Sequence, residues 1–127
     1  MSADAWTHAL QRFVDALNRP RDPAALTAAV TDDIHIDRHR PGERRAAPIA
    51  ETFTGLAAVA AWFARTPPAT QFSLAGAPTA HADGSCTIEY AIAAGEFHNG
   101  GIWIARLAGD GRIAFLSHHP FALRAAR

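Results

Sequence analysis

The chain has no lysine, and only one cysteine, one methionine and one tyrosine among its 127 residues. A single cysteine, Cys86, rules out an intramolecular disulfide and any cysteine-cluster metal site, and it suits a reducing compartment. All twelve basic residues are arginines, balanced by twelve acidic residues to a formal net charge of zero. That balance excludes a nucleic-acid module that grips phosphates with a basic surface. No apolar run is long enough for a membrane-spanning helix. Asp4, His8, Gln11, Arg12 and Asp15 interrupt the first twenty residues, which argues against a secretory leader. The expected location is the cytoplasm. There is no phosphate-binding loop and no dinucleotide fingerprint, so no cofactor is expected.

What is present is ordinary for a globular protein: 49% hydrophobic and 19% charged residues. The length predicts one domain, 1–127, big enough for a single core. Trp6, Leu10, Phe13, Val14 and Leu17 recur at helical spacing and predict a helix over 4–18, ended by Arg19-Pro20. Asp22-Pro23 opens a short second helix over 23–31. Residues 34–39 alternate with period two and read as a strand, and 44–53 return as its partner. Thr54-Gly55 leads into a third helix over 56–65. Four strands follow, over 71–77, 86–94, 101–108 and 113–123, with turns expected at Asp83-Gly84, Asn99-Gly100-Gly101 and Asp110-Gly111. Helices followed by antiparallel strands predict an α+β class, with three helices packed on one face of a curved sheet.

Four phrases carry a resemblance to a known family. They are the helix 4–18 with Arg21-Asp22-Pro23, the stretch Thr31-Asp32-Asp33-Ile34-His35-Ile36, Phe53-Thr54-Gly55 before Trp62-Phe63, and Ile104-Ala105-Arg106-Leu107 with Gly109-Asp110-Gly111-Arg112-Ile113. Their order and spacing resemble the nuclear-transport-factor-two-like superfamily, which holds the SnoaL-like polyketide cyclases and the ketosteroid isomerases. The resemblance implies a cone-shaped, cystatin-like roll around a deep cavity, and a homodimer formed by the outer sheet face. It does not fix the chemistry. At the positions where the isomerases place their catalytic base, tyrosine and protonated aspartate, this sequence has Arg38 (Asp37 if the frame slips by one), Val14 and Trp103. An arginine stays charged and cannot be the base, so isomerisation by that family's usual route is not expected.

Period two assigns side chains to faces. Ile34, Ile36 and Arg38 are expected inward on the first strand, with His35, Asp37 and His39 opposite. By the resemblance, Trp103 looks inward, as do Leu116 and His118 on the last strand. The expected cavity has Tyr90, Trp103, Ile36 and Leu116 as walls and Arg38 and His118 as polar heads, with Glu51 joining if the second strand keeps Phe53 inward. Trp6, Trp62 and Phe63 read as helix-to-sheet packing. Apolar walls with a few convergent polar groups suit a small organic molecule. Arg38 suits a carboxylate, enolate or carbonyl, and His118 suits proton transfer in an isomerase, dehydratase or cyclase. The competing reading is a non-catalytic binding or assembly module that uses the sheet face. A third reading makes His35, Asp37 and His39 a metal site, with His98 or His119 completing it. Ligands two apart on a strand stand about 6.8 Å from each other, so no metal is assigned. The expected partners are a small apolar ligand and a second copy of the chain, with neither nucleic acid nor membrane.

Overall fold

Helix α1 (Ala3–Asn18) buries the stripe that the spacing marks out: Trp6, Leu10, Phe13, Val14 and Leu17 are all in the core. The computed structural model describes residues 3–42 and 48–123. Helix α2 (Pro23–Ala29) starts as expected. The Asp22 carboxylate accepts from the Ala24 and Ala25 amides at 3.0 and 3.3 Å, and proline fills the first turn. It ends two residues earlier than expected. Val30 and Thr31 are β-branched and favour an extended backbone, and Val30 is claimed by the sheet. Strand β1 therefore runs Val30–Arg38.

Strand β2 is seen as Glu51–Thr54; of the expected 44–53 strand, 44–47 lie outside the described residues and 48–50 are not strand. Gly55 then takes a positive φ of 87°, a conformation that side-chain-bearing residues resist, and turns the chain into α3 (Leu56–Ala64). The remaining strands are β3 (Gln71–Leu74), β4 (Thr79–Ala80), β5 (Cys86–Ala94), β6 (Phe97–Leu107) and β7 (Ile113–Pro120). The short β4 has no counterpart in the sequence reading.

One expected turn is absent. Asn99, Gly100 and Gly101 lie inside β6, and the β5–β6 reversal is a two-residue turn at Gly95-Glu96, where Ala94 pairs with Phe97. Glycine in a strand also marks a close approach of neighbouring atoms. A Cβ on Gly101 would stand 2.6 Å from the Tyr90 hydroxyl, so this glycine leaves room for an aromatic side chain rather than reversing the chain.

The sheet order is β2-β1-β7-β6-β5-β3, with β4 also on β5. Every pairing is antiparallel except β1 with β7. Register shifts in β1 against β7 and in β6 against β7 add local bend and twist. Three helices on a mostly antiparallel mixed sheet make the α+β class expected from the element order. Among the described residues, no helix is long and apolar enough to cross a membrane.

The end of α1 is tied to the sheet edge by one side chain. Asn18 donates to the Phe72 carbonyl at 2.9 Å and accepts from the Phe72 amide at 2.7 Å, which mimics a neighbouring strand. Asn18→Leu keeps the volume and leaves both Phe72 groups without that partner. It should cost about 1–3 kcal/mol, seen as a lower urea midpoint with an unchanged slope. An unchanged midpoint would mean that the clamp contributes nothing.

Candidate functional site

The register lines up one row of side chains across five strands. Glu51 of β2 faces Arg38 of β1, Arg38 pairs with His118 of β7, His118 with Trp103 of β6, and Trp103 with Ile88 of β5. Such neighbours have Cβ atoms about 4.5–5.5 Å apart, so each row member touches the next. One step deeper lie Ile36, Leu116, Ala105 and Cys86, all fully buried. One step outward lie Tyr90, Gly101 and Pro120.

Above the row is a cavity of about 260 Å³, equal to about nine waters at their liquid volume of ~30 Å³ each. Phe13 and Leu17 of α1 and Trp62 and Phe63 of α3 close it over the sheet, and Tyr90, Trp103, His118 and Arg38 form the sheet side. Phe72, Ile92 and Phe97 complete the apolar wall, and Thr66 and Asn99 add neutral polar groups.

The aromatic groups are locked together. Trp103 is fully buried, stacked on Tyr90 at 4.3 Å and edge-on to Phe13 at 5.1 Å. Its indole N–H can only donate, and it donates to His118 Nδ1 at 2.9 Å. That bond fixes the imidazole: Nδ1 accepts, so the proton of the neutral ring is on Nε2. Nε2–H then donates to the Tyr90 hydroxyl oxygen at 3.3 Å. The Tyr90 O–H remains to donate onward. Burial, helped by the positive charge of Arg38 and by His119 and His39, pulls the His118 pKa down to about 3. Burial pushes the Tyr90 phenol well above its ordinary value. Both groups are therefore neutral across the working range of pH.

Arg38 is not alone at the rim. Its Nε and Nη2 reach Glu51 Oε1 at 2.8 and 2.7 Å. Arg65, just past the end of α3, donates to the same carboxylate at 3.1 and 3.3 Å. Hydrogen bonds from Arg65 and Arg38 hold Glu51 below the usual carboxylate range against a smaller desolvation effect.

The structure brings Arg38, His118, Tyr90 and Trp103 to one cavity. Glu51 stays behind Arg38 as its partner and does not line the space. Ile36 and Leu116, expected as walls, are buried one layer too deep to touch a ligand. Trp62, read as packing, is also a wall. It stacks on Phe53 at 5.0 Å and meets His118 edge-on at 5.3 Å. The walls from α1, α3 and the β5–β6 turn were missed because helix placement over a sheet leaves no mark in strand periodicity.

His35, Asp37 and His39 are on the opposite sheet face, as expected. Asp37 bonds His35 at 2.8 Å and Thr52 at 2.9 Å, while His39 stacks on His119 at 4.2 Å. His35 and Asp37 are taken up with each other, and His39 packs on His119 instead. Among the described residues, no group of three or more histidine, cysteine, aspartate or glutamate side chains is arranged to hold a metal ion.

The family model of the SnoaL-like domain matches residues 10–116. A search of curated proteins finds no match. Among solved structures, a proposed isomerase of the SnoaL-like family from Agrobacterium tumefaciens superposes with a TM-score of 0.72 at 17% identity, covering 92% of this chain and 97% of its own. A proposed ketosteroid isomerase from Kribbella flavida gives 0.71 at 15% identity, covering 98% and 83%. An NTF2-like protein of unknown function from Mesorhizobium loti gives 0.67 at 25% identity, covering 93% and 92%.

The part-buried neutral imidazole makes a prediction about acid stability. The folded pKa lies below the unfolded one, so between pH 6.5 and 3 the unfolded chain binds the extra proton. Stability from this group is complete above pH 6.5 and falls as the pH falls, by at most about 1.4 kcal/mol per unit. His118→Asn keeps an acceptor for Trp103 and removes the titration. Its stability should be flatter than wild type from about pH 6.5 to 4.5, measured by urea unfolding at each pH. Parallel curves for the two proteins would disprove the assignment.

Proposed function

The chain belongs to the SnoaL-like family, and from that premise we propose that it binds a small apolar molecule by an oxygen atom, held by the Tyr90 hydroxyl. Family membership points to small-molecule binding or isomerase and cyclase chemistry on a cone fold. The observation that carries the finer reading is the directional chain of donors from Trp103 through His118 to Tyr90. Each bond polarises the next. The last O–H, in an apolar space, is suited to a carbonyl or enolate oxygen. The raised pKa of Tyr90 means that it donates a hydrogen bond without giving up its proton.

This departs from the expectation that His118 moves a proton. Both ring nitrogens are engaged, and a pKa near 3 makes the ring a poor base. Among the described residues, no carboxylate, amine or thiol lines the cavity. The site is thus suited to hold and polarise a carbonyl, and any turnover would be electrophilic: Tyr90 stabilises charge while the proton leaves to water or to another group of the substrate. A cavity of about 260 Å³ is just below the ~300–1,000 Å³ typical of drug-sized ligands, which favours a ligand of one or two rings.

The same reading includes a homodimer in the cytoplasm. The outer sheet face offers Ile102, Ile104 and Phe115, all part-buried, beside the His35–Asp37 pair. Native mass spectrometry should give twice the chain mass of 13.5 kDa; a monomer at micromolar concentration would remove the dimer from the proposal.

The cavity is tested by Tyr90→Phe. Calorimetric titration with 2-naphthaldehyde should show a loss of roughly three- to tenfold, the worth of one hydrogen bond, while naphthalene binds both proteins equally. An equal loss for both probes would refute the hydroxyl's role, and no binding of either would refute the cavity reading.

A further inference from the structure

The rim cluster has an unbalanced charge. Arg38 and Arg65 share one carboxylate, Glu51, and no second acid pairs with either arginine among the described residues. The three groups sum to one positive charge. Arg38 lines the cavity and is the only charged side chain among the described residues that does so. Its side chain is 25% exposed, so its field is screened less than that of a surface arginine. Two of its nitrogens are taken by Glu51, and Nη1 has no protein partner among the described residues. Arg65 is 58% exposed and stands outside the cavity, with its guanidinium 6.0 Å from the ring centre of Phe53.

With Arg65 absent, Arg38 and Glu51 would cancel, and the cavity mouth would be neutral. With Arg65 present, Glu51 divides its charge between two cations, and part of the charge on Arg38 is uncompensated. A partly buried cation is rarely left so unless something completes it. Arg38 pairs with His118 across the β1–β7 ladder, so its charge stands beside an imidazole that also lines the cavity.

We propose that the cavity selects anionic ligands, small apolar carboxylates in particular, and that Arg65 sets this preference without touching the ligand, by leaving the Arg38–Glu51 pair one positive charge in excess. One carboxylate oxygen takes the free edge of Arg38. The other, or a second oxygen of the molecule, takes the Tyr90 hydroxyl. The inference rests on the cavity reading above.

The test compares acids with their carboxamides, which match them in shape and differ in charge. trans-Cinnamate and 2-naphthoate, each against its amide, are titrated by calorimetry at pH 7.5. The acids should bind at least fivefold more tightly to the wild-type protein. Arg65→Gln should shrink that ratio about three- to tenfold, and Glu51→Gln should widen it by a similar factor, the size expected for one partly screened charge. Amide affinities should stay constant in both variants. Opposite shifts from two residues outside the cavity cannot come from general loosening of the fold, and melting curves confirm that both variants are folded. Amides that bind as well as acids would overturn the charge preference and leave the cavity reading standing. Variants that weaken acid and amide alike would assign the cluster a structural role and overturn the proposal. If neither acid nor amide binds, both this proposal and the cavity reading fail.

Discussion

The bond from the Trp103 indole to His118 organises both the core and the cavity. A fully buried N–H must find an acceptor or cost the fold about 1–3 kcal/mol. It finds Nδ1 of His118, directly across the β6–β7 ladder. From that one requirement the tautomer follows, then the direction of the bond to Tyr90, then the identity of the donor left facing the cavity. Trp103 also packs against Tyr90 and Phe13. The side chain that fills the core therefore also sets the polarity of the site.

The charges divide along similar lines. Arg106 with Asp83, and Arg112 with Asp110 and Asp32, are ion pairs with exposed partners, of a kind that contributes little to stability. The Glu51 cluster differs because one of its members lines an apolar cavity. On the other sheet face, the His35–Asp37 and Ser117–His119 contacts satisfy polar groups that alternate with the inward row. A shift of one residue in β1 would exchange the two sets.

Much of the inward row was legible because period two is unambiguous when apolar residues share one face. Ile34 and Ile36 place Arg38, and Leu116 places His118, without knowledge of strand order. Arg38 and Glu51 were both legible as polar groups of the expected cavity, and they pair with each other. The approach of Tyr90 to His118 was not legible. It crosses from β5 to β7 over a glycine of β6, and only the strand order brings those residues together. Gly100-Gly101 did carry a signal, but a double glycine after asparagine reads equally as a turn or as a gap for a neighbour. Depth within the cone was also hidden: alternation tells which side Ile36 and Leu116 face, and not how far the cavity descends toward them.

The parallel pairing of β1 with β7 has a consequence for how the molecule is made. Arg38 and His118 are neighbours across that ladder, yet about two thirds of the chain's length separates them. Of the strands described, β7, the central partner of β1, is the last to be synthesised. Until then α1, α2 and β1 have an apolar face and no finished surface to cover it. Contacts of such long sequence separation slow folding, since the loop entropy is lost before the contact forms. The cavity is consequently among the last parts to assemble. A chain interrupted before β7 would lack His118 and the strand that joins β1 to β6, and would be left as a substrate for chaperones or proteases rather than a weakened version of the protein.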